Sequence, residues 1–318
     1  MASDNNYIHK QANQLVFAVR SKSELVLAAT VLLLLALAPV FVMAQQIHFA
    51  TPETAGDKLY EVVETHDASA VAGLFGAEYL YLLPLDEVNA QDRELFINAW
   101  KQSHKLIPGE RNVLFIEVGL KGWTFPIPLL KSPYGWYFDS AAGAEIIQTR
   151  RIGRNELSTM QAALAYHDAQ LEYAEEDRNG NGVLEYAQKF ISTPNKKDGL
   201  YWEVEPGETP SPLGELFTGD TPEGAYFGYY YKILKEQGES ARGGGYSYLS
   251  GDRMKFGFAL LAWPAEYGET GVMSFMINHD GVLLEKNLGP DTEQIAADMN
   301  SFEPGKGWSL VRPEEIFW

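Results

Sequence analysis

Cysteine is absent from all 318 residues. That excludes thiol catalysis, thiolate zinc sites and iron–sulfur clusters. It also excludes disulfides, so the fold must rest on noncovalent packing. Familiar catalytic signatures are missing too: there is no HExxH helix, no Walker lysine loop and no GxSxG elbow. Histidine is scarce. Those beyond residue 44 are His48, His66, His104, His167 and His279, each isolated in sequence. Each reads as a surface or helix-end residue, because an imidazole site needs partners. His167 and Asp168 are adjacent on an expected helix, where neighbouring side chains diverge by about 100°, so no pair is expected. Basic charge is short as well. Lys and Arg number 25 against 43 Asp and Glu, a net charge of −18. Such a surface repels nucleic acid and anionic lipid, so neither is an expected partner.

Residues 25–44 (LVLAATVLLLLALAPVFVMA) form an uncharged apolar run preceded by Lys10, Arg20 and Lys22. The run ends Val42-Met43-Ala44, a small-residue cleavage site. Residues 1–44 therefore read as a signal peptide. The alternative is an uncleaved anchor in the inner membrane, since the run approaches the length of a spanning helix. Either places the remainder in the periplasm, with membrane contact only through this segment. Beyond residue 44, 22 basic residues face 41 acidic ones, a net charge of −19. That part is long and apolar enough to build a core without covalent staples.

The expected organisation is α+β. An N-terminal subdomain spans 45–145. Residues 146–318 carry a long central helix, a candidate ion loop and a β-rich subdomain. Thr51-Pro52-Glu53 is a helix start. Two short helices are expected to break near His66-Asp67, followed by a strand at 79–83 and a helix at 91–106. Strands follow at 112–120, 123–130 and 135–139, with Pro126 and Pro128 making the middle one an edge or bulged strand. Helices on one face of an antiparallel sheet give a cystatin-like pattern, an order similar to nuclear-transport-factor-like domains. Ile146, Ile147, Ile152, Leu157, Met160, Leu164 and Leu171 mark a helical stripe that runs on to Glu176, with Gly153 a candidate interruption. Residues 191–224 read as an ordered loop anchored by Tyr201 and Trp202. Strands are expected at 226–234, 256–263, 272–278 and 282–286, the last two joined by the His279-Asp280-Gly281 turn, then a helix at 291–302.

One stretch suggests specific chemistry. Residues 177–188 read DRNGNGVLEYAQ. Asp177, Asn179 and Asn181 place oxygen-bearing side chains at alternate positions, and Gly182 allows a sharp turn: the front half of a calcium loop. Val183 can offer its carbonyl, Leu184 is expected to pack on the core, and Glu185 holds the ninth position. Gln188 stands where a bidentate Glu belongs. The reduced charge predicts weak affinity, roughly 0.1–1 mM. The competing reading is an Asx/Gly turn without an ion.

Other candidates are plainer. Arg150, Arg151 and Arg154 form a basic cluster, read as structural, with an anion site as the alternative. Gly243–Gly245 lacks a strand–glycine–helix context and reads as a connection. Glu266 and Asp280 are candidate acid and base for a glycan substrate, or ordinary loop acids. Tyr229, Tyr231, Trp263 and Tyr267 form either a stacking platform or core and cross-strand pairs, the latter preferred.

The segments TFPIPLLK, GWYFDSAAG, RRIGRNEL, DRNGNGVLEYAQKF, STPNKKDGLYW, GFALLAWPAEYG and GVMSFMIN resemble a bacterial exported family catalogued as domain of unknown function 2950, over about residues 48–303. The resemblance implies one conserved unit in the envelope of a Gram-negative bacterium, and supplies no catalytic residues. The C-terminal half, with its aromatic strand, Trp-Pro strand and terminal hairpin, is similar to type IV pilin-like and pseudopilin globular domains. The expected function is a non-enzymatic binding or assembly factor of the cell envelope with a structural calcium site, its partner an envelope protein or glycan. The alternative is a hydrolase acting on a cell-wall or glycan substrate.

Overall fold

A computed structural model describes residues 46–82, 89–110, 112–204, 207–214 and 224–312. The expected signal peptide lies outside these residues. Among the described residues, no helix is long and apolar enough to cross a membrane. The chain divides into two compact units. One holds the residues up to Trp123 together with Leu129–Phe138; the other holds Thr124–Pro128 and everything from Asp139 onward.

The first unit begins where the capping chemistry directs. Helix α1 spans Pro52–Thr65, and Thr51 accepts the Thr54 N–H through its hydroxyl at 3.3 Å. It ends at His66, whose φ of 55° is left-handed. The Asp67 carboxylate then caps α2, Ala68–Phe75. The expected strand at 79–83 is instead a 3₁₀ helix, Ala77–Leu82. Gly76 turns the chain at φ 89°, and the Tyr79 N–H bonds back to its carbonyl at 3.2 Å. With Leu80 and Tyr81 exposed, the run has no face to bury in a sheet. Asn89 caps α3, Ala90–Gln102.

That helix ends before the expected residue 106, because the segment after it pairs as strand β1, His104–Pro108. Its partner is β2, Val113–Val118, in antiparallel register from His104 opposite Val118 to Pro108 opposite Leu114. The strand expected at 123–130 splits into β3, Trp123–Thr124, and β4, Leu129–Ser132. Pro126 and Pro128 lie in the gap, where neither has an N–H to give a ladder. Strand β5, Gly135–Phe138, completes the order β1-β2-β4-β5. The core joins Leu59, Val62, Leu74 and Phe75 of the helices to Ile116, Val118, Leu129 and Phe138 of the sheet, all at most 2 % exposed.

The second unit is organised around helix α4, Ser140–Tyr173, 34 residues long. It starts ahead of the apolar stripe because the Asp139 side chain caps it, accepting the Ala142 N–H at 3.1 Å. Gly153 does not interrupt it. Strand β6 is Tyr229–Leu234. Two small hairpins follow that the sequence did not suggest: β7, Glu236–Gln237, with β8, Tyr246–Ser247, and β9, Leu249–Ser250, with β10, Arg253–Met254. Gly243–Gly245 connects β7 to β8, as expected. Strands β11 (Ala259–Pro264), β12 (Met273–Asn278), β13 (Leu283–Asn287) and β14 (Ser309–Leu310) complete an antiparallel sheet ordered β14-β13-β12-β11-β6. The β12–β13 turn is closed by Gly281 N–H donating to the Asn278 carbonyl at 2.9 Å. The terminal helix is α5, Thr292–Asp298, shorter than expected. The class is mixed α+β.

Candidate functional site

Helix α4 delivers the chain into the 177–188 loop, and the loop folds around one carboxylate. Glu185 is 9 % exposed. Its Oε1 accepts from Asn179 Nδ2 at 2.6 Å and from Asn181 Nδ2 at 2.5 Å. The Asp177 carboxylate accepts the Asn181 N–H at 3.0 Å and the Gly182 N–H at 2.7 Å. The Oδ1 atoms of Asn179 and Asn181 accept the backbone N–H groups of Asn181 and Val183. Gly180 and Gly182 take φ of 71° and 80°, which glycine adopts without strain. Of the six residues singled out, Asn179, Asn181 and Glu185 meet through their side chains, and Asp177 closes the same turn through backbone N–H groups. Val183 joins through its N–H. Gln188 does not join, because its amide donates to the Asp252 carbonyl at 2.6 Å.

The chemistry of this arrangement is that of a carboxylate solvated by two amide dipoles. Rotating both amides by half a turn would turn their oxygens toward Glu185, at the cost of the two backbone N–H bonds those oxygens now accept. Among the described residues, no group of three or more His, Asp and Glu is placed to hold a metal. An ion here would rest on two carboxylates plus amide and backbone oxygens.

The Tyr173 hydroxyl is pushed up to about 12, first by burial, then by the Glu185 and Asp198 carboxylates, with Arg178 acting in the opposite direction and Asp177 adding to the rise. The loop itself contributes opposing charges, the Glu185 and Asp177 carboxylates against Arg178, which also pairs with Glu176 at 3.4 Å.

The loop is pinned on its C-terminal side. Tyr186 N–H donates to the Met254 carbonyl at 2.8 Å. Gln170 of α4, fully buried, brackets Ala187: its Nε2 donates to the Ala187 carbonyl and its Oε1 accepts the Ala187 N–H, each at 2.8 Å. These anchors explain a correction. Leu184 does not pack on the core but is 56 % exposed, since Tyr186 and Ala187 occupy the inward positions.

The remaining candidates sort cleanly. Glu266 follows β11 and Asp280 follows β12, at opposite ends of that antiparallel pair, with Ala259 opposite Asn278. Five strand intervals separate those ends, about 16 Å at ~3.3 Å per residue. Paired glycosidase carboxylates stand about 5–9.5 Å apart. Tyr229, Tyr231 and Trp263 do not share one face, and Tyr267, beyond β11, donates its hydroxyl to Asn287 Oδ1 at 3.1 Å. Trp263 pairs with Tyr230 on one face of the sheet, while Tyr229 and Tyr231 alternate to the other. Tyr229 is buried, donating to the Met273 carbonyl at 2.9 Å, and Tyr231 donates to Thr159. In the basic cluster, Arg150 donates to Thr124, and Arg151 pairs with Glu269 at 2.9 Å. Both serve structure. His167 and Asp168 do make contact, Nδ1 to Oδ1 at 3.1 Å, although adjacent helical side chains diverge. The Asp168 side chain is 83 % exposed and bends around the helix to reach the ring.

Comparison with known proteins gives one family. Its model, described as Protein of unknown function (DUF2950), matches residues 46–311, and the chain belongs to that family. No curated protein and no solved structure matches.

Proposed function

We propose that this member of the DUF2950 family is a non-enzymatic binding or assembly factor of the bacterial cell envelope. In this reading it is exported to the periplasm and holds a structural calcium ion in the 177–185 loop. The observation that carries it is the meeting of the Asn179 and Asn181 amides on the buried Glu185 carboxylate, in a turn closed by the Asp177 carboxylate on the Asn181 and Gly182 N–H groups. A divalent cation would balance the two carboxylates and release the amides from Glu185. It would act on structure rather than turnover, because the loop joins the end of α4 to the β9–β10 hairpin through Tyr186 and Gln188.

The separation of Glu266 from Asp280 supports a non-enzymatic role over the hydrolase alternative. The net charge of −19 beyond residue 44 supports an envelope protein or glycan as partner rather than nucleic acid. We read α1–α3 on their sheet as a cystatin-like layer and the β6–β14 sheet as a pilin-like arrangement.

The test is thermal unfolding of the purified protein with 10 mM calcium and with EDTA, for the wild type and Asp177→Ala. At tenfold excess over Kd, binding to the native state contributes about 1.4 kcal/mol. That corresponds to a rise of roughly 3–6 °C for a chain of this size. The rise is expected to vanish in Asp177→Ala. Superimposable curves would reduce the loop to an Asx/Gly turn and remove calcium from the account.

A further inference from the structure

The first unit contains a recess of about 400 Å³ between the start of α1 and the α3–β1 junction. Its size falls within the range of small-molecule sites, about 300–1,000 Å³. Gly56, Trp100 and Ile116 form its buried part. Trp100 is 6 % exposed and stacks on His104, with ring centroids 4.3 Å apart and planes 11° from parallel. Gly56 keeps the recess open: a Cβ there would stand 3.3 Å from Trp100 Cη2. A glycine inside a helix costs about 1 kcal/mol relative to alanine, and here it leaves room against an indole.

The exposed part is rich in acceptors. Glu53 and Asp57 lie one turn apart on α1, and neither carries an ion pair among the described residues. His104 Nδ1 donates to the Trp100 carbonyl at 3.0 Å, which assigns the proton to Nδ1 and leaves Nε2 as an acceptor in the neutral ring. Lys105 would oppose a cation, but it is paired with Glu117 at 2.8 Å. Among the described residues, no group of three His, Asp and Glu is placed to hold a metal. The acceptors therefore suit a larger, donor-rich cation rather than a bare ion.

We propose that this recess binds an organic cation: a primary ammonium or guanidinium on an apolar stem, carried by a small amine or by a Lys or Arg side chain of a peptide. The stem lies against Trp100 and Ile116, and the cationic head donates to Glu53, Asp57 and His104 Nε2. An apolar wall for the stem and carboxylates for the head together favour such a group.

The test is calorimetric titration of the full chain with three end-blocked tripeptides, Ala-Lys-Ala, Ala-norleucine-Ala and Ala-Glu-Ala, and with pentylamine. The Lys peptide or pentylamine is expected to bind at least tenfold more tightly than the norleucine and Glu peptides. Tighter binding of the Lys peptide than of pentylamine identifies a peptide ligand; the reverse identifies a free amine. The double variant E53Q/D57N, both sites exposed, is expected to stay folded, with a melting temperature lower by at most about 4 °C because Glu53 lies in the first turn of α1, and to lose at least tenfold in affinity. G56A is expected to weaken binding by narrowing the recess. Equal binding of the norleucine peptide, preference for the Glu peptide, unchanged affinity in E53Q/D57N, or no binding of either cationic probe would overturn the proposal.

Discussion

Asp198 shows how a single side chain organises a long loop in this protein. Burial acts to raise its carboxyl. Hydrogen bonds from Lys189 Nζ, the Thr193 N–H and the Thr193 hydroxyl, with the Lys189 charge, outweigh burial and hold it at about 2. A depressed carboxyl stabilises the fold above its ordinary value near 3.8, and that contribution is lost as pH falls through about 2. Asp198→Asn is therefore expected to lower stability at pH 7 by on the order of 1 kcal/mol, after allowance for solvent screening. The variant should also show a shallower loss of stability between pH 4 and pH 2 in urea titrations. An unchanged pH profile would show that Asp198 is not held down.

The same scale separates what was legible in the chain from what was not. The alternation of Asp177, Asn179 and Asn181 is local, so the sequence displays it, and Glu185 follows at the ninth position. The fate of Gln188 depends on the Asp252 carbonyl, 64 residues away, and no local pattern reports that acceptor. His104 reads as an isolated histidine in sequence. Its place beside Trp100 and Gly56 arises only once α1, α3 and β1 are packed together.

Among the elements, α4 best shows why hydrophobic periodicity finds a helix more readily than its buried face. Its existence follows from the apolar stripe. Met160 of that stripe is buried, and Leu157 and Leu164 pack against the core, yet Leu171 is 43 % exposed, while Thr159, Ala162, Ala163, Tyr166, Ala169, Gln170 and Tyr173 are buried. The inward face mixes alanines and tyrosines with one buried amide, and Gln170 is tolerated there because it bonds Ala187 and the Tyr166 hydroxyl. Replacing Gln170 with Ala strands the Ala187 N–H and carbonyl in the interior. At about 1–3 kcal/mol for each stranded group, the expected loss is about 3 kcal/mol, measured by denaturant unfolding. A loss below about 1 kcal/mol would show that water replaces the amide and that the loop is not pinned through Ala187. The 79–83 segment makes the complementary point. Its aromatic and aliphatic residues have strand propensity, but a strand needs a partner ladder, and Gly76 directs this segment into a 3₁₀ turn.

At the scale of the whole molecule, two compact units form without any covalent staple. Each contains its own candidate site: an oxygen-rich loop in the second and an acceptor-rimmed recess in the first. Both contain carboxylates, in a chain whose acidic residues greatly outnumber its basic ones. Mixed α+β character was legible, because helix caps and strand alternation are local signals. The small β7–β8 and β9–β10 hairpins were not, since strands of two residues carry too short a period to read.

The central claim is that the loop amides of Asn179 and Asn181 exchange Glu185 for a calcium ion. The most direct measurement is a calcium titration of the protein followed by NMR of those two side-chain NH₂ groups, alongside the same titration of Asp177→Ala. The account predicts saturable shifts of both groups, with a midpoint of roughly 0.1–1 mM, that disappear in the variant. Resonances that stay fixed up to 10 mM calcium, or that move equally in Asp177→Ala, would contradict it.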